Sequence, residues 1–260
     1  MKKNQFDELK VLLDKKVKQY NQFSFIENDP ISVPHRFSKK QDIEIAGLFA
    51  AVFSWGNRKT IINKSNELMN LFDDAPHEFV LHHSEKDLKK LLQFKHRTFN
   101  TTDLLYFIHF LKKHFSKKSS LENAFIDGIK TDDVDVMNGL IHFHDLFFSD
   151  DHAPKRTRKH IPTPLRNSSC KRLNMYLRWM IRNDHTGVDF GLWNKISSSQ
   201  LIIPLDVHVQ RVALKSGLMK REIADWKAAV ELTNALKLFD AADPVKYDFA
   251  LFGMGVNEKK

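Results

Sequence analysis

The amino-acid sequence predicts an all-α fold, and three observations lead to that prediction. The chain of 260 residues has only 9 glycines and 8 prolines, so it offers few of the tight turns that β-hairpins need. Apolar residues recur at helical spacing, and no segment sustains the alternation of apolar and polar residues that a half-buried strand shows. The 21 phenylalanines, within a hydrophobic content of 42%, supply an aromatic-rich core. A chain of this length can form one large domain or two lobes.

The first half of the chain divides into short helical segments. Residues 5–20 carry apolar side chains on one side and form an amphipathic helix. Asp42 is expected to cap the next helix, residues 43–53, which is apolar nearly all round and should therefore be buried. That helix ends at the segment 54–59. Further helices are predicted at residues 60–72, 75–82, 86–94, 102–115, 120–129 and 133–148.

The composition changes at residues 149–169, which carry a basic cluster (Lys155 to His160) followed by Pro162 and Pro164. We interpret this segment as a loop or as the junction between two lobes of a single unit that spans residues 1–260. The remaining helices are predicted at residues 170–182, 206–216, 225–239 and 244–252. Asp206 is placed to cap the second of these, and Gly217 to stop it. The last is expected to be closed by Gly253 and Gly255.

The net charge of +9 and the isoelectric point near 9.4 favour an acidic partner, most simply a nucleic acid. A solvated basic surface is the simpler alternative. The single cysteine, Cys170, excludes an internal disulfide and a four-cysteine iron–sulfur or zinc site, so we expect no cofactor. We expect no metal site either, because His142 and His144 would point about 200° apart on a helix.

The N-terminal segment has no apolar signal core, and no apolar run approaches the length of a membrane span. The sequence therefore predicts a cytoplasmic protein, associated with the nucleoid if the source is bacterial, without a membrane partner.

The segment around Lys171 and the segment around Asp206 carry the residues best suited to chemistry. At 100° per residue, the helix that starts near Lys171 packs through an apolar face and turns a basic stripe to the other side. Its basic stripe consists of Lys171, Asn174, Arg178 and Arg182. Taken alone, the stripe is also compatible with an ordinary surface helix whose cations are solvated. Asp206 would be held ionised at its helix N-terminus, which suits the stabilisation of a developing positive charge.

These two segments resemble motifs of the helix-hairpin-helix base-excision DNA glycosylases, the endonuclease III superfamily. The stretch IPLDVHVQRVALKSGL, residues 203–218, is similar to the family's V-D-T-H-V-x-R-V-x-x-R-L-G-L and places Asp206 on the catalytic aspartate. The stretch CKRLN, residues 170–174, is similar to G-x-G-R-K-T-A-N and places Lys171 on the catalytic lysine. The wide separation of the two motifs, and the single cysteine, look closer to the archaeal 8-oxoguanine glycosylases, which lack the iron–sulfur cluster.

Two further segments resemble the family more weakly, and the hairpin departs from it. Residues 45–59 look like the family's L-x-x-x-L-S-x-Q helix and loop, with Gly56 or Asn57 in place of the intercalating glutamine. Residues 243–255 look like its closing helix. The hairpin, residues 164–170, has no glycine, so Asn167, Ser168 and Ser169 would have to form the turn and bind a DNA phosphate.

The resemblance implies a two-lobed helical fold with an interlobe cleft and a degenerate helix-hairpin-helix, acting on damaged duplex DNA without an obligate protein partner. A flipped nucleotide would enter the cleft, where Lys171 attacks the anomeric carbon and Asp206 stabilises the charge that develops. The predicted DNA-binding residues are Asn167, Ser168, Ser169, Arg172, Arg178, Arg156, Arg158 and Lys159. The predicted base pocket or wedge consists of Trp55, Asn57 and Trp179, with Trp193 as a further candidate. His96 and Arg97 are left open, because the sequence does not decide which way they face.

Three functions are compatible with these features. The first is a DNA glycosylase with AP-lyase activity on an oxidised purine, supported by the presence of both Lys171 and Asp206. The second is a nucleic-acid-binding protein that keeps the fold without the activity, supported by the missing hairpin glycines. The third is a helical interaction protein whose basic surface serves solubility.

Overall fold

The structure, a computed structural model, describes residues 3–257 and is helical throughout its regular secondary structure. Within these residues no strand forms, and the isolated backbone bridges are His96–Phe99 and Ser168–Asp225. The all-α prediction is confirmed. Residues 1, 2 and 258–260, which belong to the predicted unit 1–260, lie outside the described residues.

Short segments connect most of the helices, whereas residues 21–39, 148–170 and 182–206 form longer connections that contain 3₁₀ turns. In chain order the described α-helices are α1 (Lys3–Tyr20), α2 (Lys40–Phe53), α3 (Arg58–Leu71), α4 (Pro76–His82), α5 (Glu85–Lys90), α6 (Thr101–Phe115), α7 (Asn123–Ile126), α8 (Met137–Phe147), α9 (Lys171–Ile181), α10 (Val207–Lys215), α11 (Trp226–Lys237) and α12 (Tyr247–Asn257).

The chain folds into two compact units. Of the described residues, 3–25, 130–137 and 163–257 form the terminal unit, and 26–129 and 138–162 form the central unit. The chain passes from the central to the terminal unit for the last time after Pro162, within the segment 149–169. The assignment of these units to glycosylase lobes stays a prediction.

The core of the central unit is built around α2, in which every residue from Asp42 to Phe53 is buried. Its aromatic side chains pack against other phenylalanines, with Phe49 and Phe107 ring centroids 5.6 Å apart and Phe53 and Phe99 5.0 Å apart. The buried Glu44 carboxylate accepts hydrogen bonds from the hydroxyl of Ser120 and the backbone of Leu121. This paired carboxylate explains how an acidic residue is accommodated on a helix that is buried all round.

The prediction that Asp42 caps α2 is wrong. The helix begins at Lys40, and Asp42 lies in its first turn. Its Oδ1 instead accepts the backbone N–H of His77, at 2.8 Å. His77 is the second residue of α4, where backbone N–H groups have no partner within their own helix. Asp42 therefore satisfies the start of a neighbouring helix.

In the terminal unit, α12 packs against both α1 and α10. The expectation that Gly253 and Gly255 close this helix is wrong, because α12 continues to Asn257. A Cβ on Gly253 would lie 2.3 Å from the Tyr20 ring of α1, and one on Gly255 would lie 2.8 Å from the His208 carbonyl of α10. Both glycines are required by close packing, not by the end of the helix.

Several of the predicted helices are shorter in the structure, most of all those predicted at residues 86–94, 120–129 and 133–148. The helix predicted at residues 86–94 is α5, which ends at Lys90. The helix predicted at 120–129 is the single turn α7, and the helix predicted at 133–148 is α8, which begins at Met137. Within the described residues no helix combines the length and apolarity that a membrane span requires.

Candidate active site

Lys171 is the first residue of α9, and the chain enters this helix through an unusual backbone conformation. Cys170, which precedes it, has a φ of 49° and lies in the left-handed region. The buried Cys170 donates its backbone N–H to the Ser168 hydroxyl at 3.1 Å. This turn starts the helix abruptly, so that the Lys171 side chain projects from the first helical position.

Asp206 caps α10, as the sequence predicts. Its Oδ1 accepts the backbone N–H groups of His208 and Val209 at 2.8 and 2.9 Å. Gly217, with a φ of 70°, follows the C-terminal end of the same helix, also as predicted. One carboxylate oxygen is therefore committed to the fold, and the charge of the group faces the positive end of the helix dipole.

The terminal unit brings Lys171 and Asp206 together across helices α9 and α10. Lys171 Nζ lies 3.6 Å from Asp206 Oδ2, the oxygen that does not cap the helix. The lysine side chain is 32% exposed and the aspartate side chain 12% exposed. An amine and a carboxylate in this arrangement can exchange a proton and remain accessible to a substrate.

The rest of the predicted basic stripe of α9 is buried, which corrects the expectation for Arg178. The Arg178 side chain is 4% exposed and forms ion pairs with Asp189, at 3.2 Å, and with Asp248. Arg182 is equally buried and pairs with Asp184, Asp189 and Asp243 at 2.7 to 3.0 Å. Because its donors are directed into this network, Arg178 is a structural residue and not a DNA contact.

Asp248 links this network electrostatically to the candidate site. Burial raises the pKa of Asp248 to about 7, the Arg178 cation opposes that shift, and the negative charge of Asp206 adds to it. A carboxyl group with this pKa changes its charge near neutral pH. The charge of Asp248, which interacts electrostatically with Asp206, therefore depends on pH in the range in which enzymes commonly work.

The hairpin residues form a turn without glycine. The predicted hairpin, residues 164–170, begins with a 3₁₀ turn, Pro164–Arg166, and Asn167 follows this turn with a φ of 56°. Asn167 is exposed, whereas Ser168 and Ser169 are half-buried. Asn167 and Cys170 thus adopt the left-handed conformation that glycine adopts most easily. The sequence expectation that Asn and Ser make this turn needs one addition, Cys170.

Two side chains of α9 near the hairpin, Arg172 and Asn174, are affected by burial. Burial lowers the pKa of Arg172, a predicted DNA contact, to about 10. Asn174, one helical turn after Lys171, donates to the Ser169 carbonyl at 3.0 Å. Its buried Oδ1 accepts no hydrogen bond from the residues that the structure describes. Asn174 therefore fixes the hairpin to the helix through one end of its amide.

The predicted contacts Arg156, Arg158 and Lys159 belong to the central unit and not to the unit of Lys171. Arg156 donates hydrogen bonds to Asn100 and Asp103, and to the Thr98 carbonyl at 3.0 Å. Arg158 lies over the Phe148 ring, with 4.7 Å from its guanidinium carbon to the ring centroid. The Arg156 guanidinium therefore stabilises the segment 98–103 through these hydrogen bonds. Lys159 is exposed.

The residues predicted for a base pocket or wedge differ in their burial. Trp179 is completely buried, and Trp193 nearly so, so both are core residues and the pocket expectation for Trp179 is wrong in this structure. Asn57 is exposed and caps α3 by accepting the Thr60 N–H at 3.1 Å. Trp55 is half-buried in the central unit, and its ring nitrogen is buried.

Sequence reasoning missed the acidic partners of α9 (Asp184, Asp189, Asp243 and Asp248). A signal was present, because Asn174, Arg178 and Arg182 recur every four residues on a helix whose opposite face is apolar. A helix that carries arginines and is buried on both faces needs acidic residues from neighbouring segments to pair with those arginines.

Among the residues that the structure describes, no group of three or more His, Cys, Asp or Glu side chains is arranged to hold a metal ion.

Comparison with known proteins identifies a family. A family model described as "Protein of unknown function (DUF2400)" matches residues 29–257. No curated protein and no solved structure matches the chain. The family match covers well over half of the sequence and includes both Lys171 and Asp206. The chain therefore belongs to the DUF2400 family.

Proposed function

We propose that this protein is a DNA base-excision glycosylase with AP-lyase activity, acting on a damaged base such as an oxidised purine. The observation that carries the proposal is the Lys171–Asp206 pair, with 3.6 Å between Nζ and Oδ2 and the other carboxylate oxygen bound to a helix N-terminus. The family resemblance of the two segments and the net charge of +9 support it.

In the proposed reaction, Lys171 Nζ forms a bond to C1′ of the flipped nucleotide while the bond from C1′ to the base breaks. The base leaves with the electron pair and takes up a proton. Asp206 Oδ2 accepts a proton from the attacking amine, and its charge stabilises the positive charge at C1′. Opening of the sugar ring gives an imine between C1′ and Nζ. Loss of a proton from C2′ then expels the 3′ phosphate, and water releases the lysine.

Borohydride reduction tests this proposal because it converts the imine into a stable protein–DNA adduct. The parent protein and the variants Lys171→Ala and Asp206→Asn are incubated with duplexes that contain 8-oxoguanine, uracil or an abasic site. We expect an adduct with the parent that is absent in Lys171→Ala and at least tenfold weaker in Asp206→Asn, in line with the usual contribution of general acid–base groups, about 10²-fold or more. The exposed Lys227 of α11 provides a matched control, since Lys227→Ala should trap like the parent.

An adduct that persists in Lys171→Ala would contradict the assignment of the nucleophile. The absence of an adduct on all three duplexes would contradict the activity. In that case the second candidate is a nucleic-acid-binding protein without catalysis, which the lack of glycine in the hairpin supports. Retained, salt-sensitive binding to the same duplexes would then identify it.

A further inference from the structure

Arg97 of the central unit is exposed, yet its position is tightly determined. Its guanidinium carbon lies 4.3 Å from the centroid of the Trp55 ring. A Cβ on Gly56 would lie 2.2 Å from Arg97 Nη1, and Gly56 itself has a φ of 111°. Only glycine at residue 56 therefore lets the guanidinium lie on the tryptophan at this distance.

The backbone that carries Arg97 is also fixed. His96 and Phe99 exchange two backbone hydrogen bonds of 2.9 Å, which close a tight turn with Arg97 at its tip. Arg97 adopts a φ of 55°, a left-handed conformation that is uncommon for a non-glycine residue. His96 is buried below the turn and its Nε2–H donates to the Phe53 carbonyl at the end of α2, at 3.1 Å.

A second arginine holds the other side of this turn. Arg156 binds the Thr98 carbonyl and the side chains of Asn100 and Asp103. Asp103 is completely buried at the start of α6 and also accepts the Thr157 hydroxyl at 2.7 Å. The turn 96–99 is thus connected to α2 by His96 and to α6 by Arg156.

The guanidinium that this arrangement holds has no acidic partner among the described residues of its unit. Within the part of the central unit that the structure describes, Arg97 makes the stacking contact with Trp55 and no ion pair or hydrogen bond through its guanidinium. Stacking on an aromatic ring orients the guanidinium plane and leaves the N–H groups at its edge directed outward. Less side-chain entropy is lost when such a pre-oriented cation binds an anion.

We propose that Arg97, stacked on Trp55, is a binding site for a backbone phosphate of nucleic acid. A phosphodiester group offers two acceptor oxygens that match the two parallel N–H donors of a guanidinium edge. The net charge of +9 makes a polyanion the fitting partner. The inference rests on the DNA-binding part of the proposed function and adds a contact in the central unit that the sequence motifs do not include.

Measurement of duplex DNA binding against salt concentration tests the proposal. The proteins compared are the parent, Arg97→Ala, Arg97→Lys and Trp55→Leu, each checked for an unchanged thermal transition. Loss of one phosphate contact should weaken binding by about tenfold and lower the slope of log affinity against log salt by about one. Arg97→Lys and Trp55→Leu keep the charge but lose the stacked orientation, so we expect weaker binding with the slope retained.

Lys86→Ala is the matched control, because it removes one exposed cation of the same unit, on α5. It should leave the slope unchanged. Equal effects of Arg97→Ala and Lys86→Ala would overturn the inference, as would an Arg97-dependent affinity for poly-glutamate but not for DNA. If the parent binds no DNA, the inference and the proposed substrate fail together. If the parent forms the borohydride adduct while Arg97→Ala behaves like Lys86→Ala, only the inference fails.

Discussion

A single side chain, Asp206, divides its two oxygens between folding and the proposed chemistry. Oδ1 accepts two backbone N–H groups of α10, and Oδ2 faces Lys171 Nζ. Asparagine and aspartate cap helices about equally well, because the cap needs an acceptor oxygen and not a charge. Stability and activity should therefore respond differently to substitutions at this residue.

We predict that Asp206→Asn leaves the free energy of unfolding nearly unchanged, whereas Asp206→Ala lowers it by about 1 kcal/mol through loss of the cap. Chemical denaturation of the three proteins measures the difference. Both variants should be equally defective in borohydride trapping. A large loss of stability in Asp206→Asn would show that the charge itself holds the fold.

The raised pKa of Asp248, about 7, gives a second prediction. An unfolded aspartate titrates near pH 4, so between about pH 4 and pH 7 the folded protein binds a proton at this residue that the unfolded chain has released. Asp248 therefore makes the parent lose stability as the pH rises through this range. Asp248→Asn removes that titration, so its stability relative to the parent should increase from pH 4 to pH 7.

Urea denaturation at several pH values tests this prediction. Asp14→Asn serves as a control, because Asp14 is a partly exposed carboxylate of α1 whose pKa is lowered despite the opposing effect of burial, through Lys10 and Tyr247. In that variant the relative stability should change in the opposite direction, falling mainly as the pH rises towards about pH 4, the ordinary range of an aspartate, and changing little above it. Parallel pH profiles for the parent and Asp248→Asn would contradict the raised pKa.

Among the elements, α12 shows most clearly how a helix depends on its glycines. Gly253→Ala should lower the free energy of unfolding by about 1–3 kcal/mol, because the added methyl group overlaps the Tyr20 ring and packed cores resist added volume. Thermal unfolding of Gly253→Ala, Tyr20→Leu and the double variant measures the effect. The smaller leucine should partly relieve the overlap, so that the double variant is more stable than the sum of the single changes predicts. Additive effects would contradict this contact.

The buried charges of α9 should matter more for stability than any exposed ion pair. Arg178→Met leaves Asp189 with Arg182 alone and removes the ion-pair partner of Asp248, so we expect a loss of about 3 kcal/mol or more. The half-exposed Lys10–Asp14 pair of α1 is the comparison, where Lys10→Met should cost less than about 1 kcal/mol. Urea denaturation of both variants and the parent measures the two losses of stability. A loss in Arg178→Met no larger than in Lys10→Met would be inconsistent with a buried network.

The sequence predicted the helices well where an apolar pattern coincided with a terminal signal, as at Asp206 and Gly217 for α10. It failed where a polar residue serves a different element. Asp42 is predicted to cap its own helix and instead binds the start of α4, and Arg178 is predicted to contact DNA and instead pairs with Asp189 and Asp248. Periodicity locates the face on which a residue lies, but it contains no information about which distant segment packs against that face.

At the scale of the whole molecule, the net charge of +9 leads to a prediction about binding. If duplex DNA is the partner, log affinity should fall steeply and linearly with log salt, with a slope of about 0.9 per phosphate contacted. Fluorescence anisotropy between 50 and 300 mM salt, roughly the range over which such binding weakens, measures the slope. A flat dependence would favour the helical interaction protein over both nucleic-acid readings.

The candidate pair itself was predicted from the resemblance of two short segments, and the structure places the two residues within one unit. The Arg97–Trp55 stack was not predictable in the same way, because its partners are 42 positions apart and meet only through the packing of two loops. Composition and periodicity determine the fold class, whereas contacts between loops depend on tertiary structure.

The packing of α1 against α12 has a consequence for the order in which the chain matures during synthesis. The central unit is contained within residues 26–162, so all of its chain has left the ribosome well before the last helix is made. The terminal unit is completed later, because α1 is translated before the central unit and its packing partner α12 is translated after it. Domains generally fold as they emerge. Lys171 and Asp206 therefore belong to the unit that is completed after the central unit, and a chain interrupted before α12 would contain all residues of the central unit but would lack the helix that packs against α10.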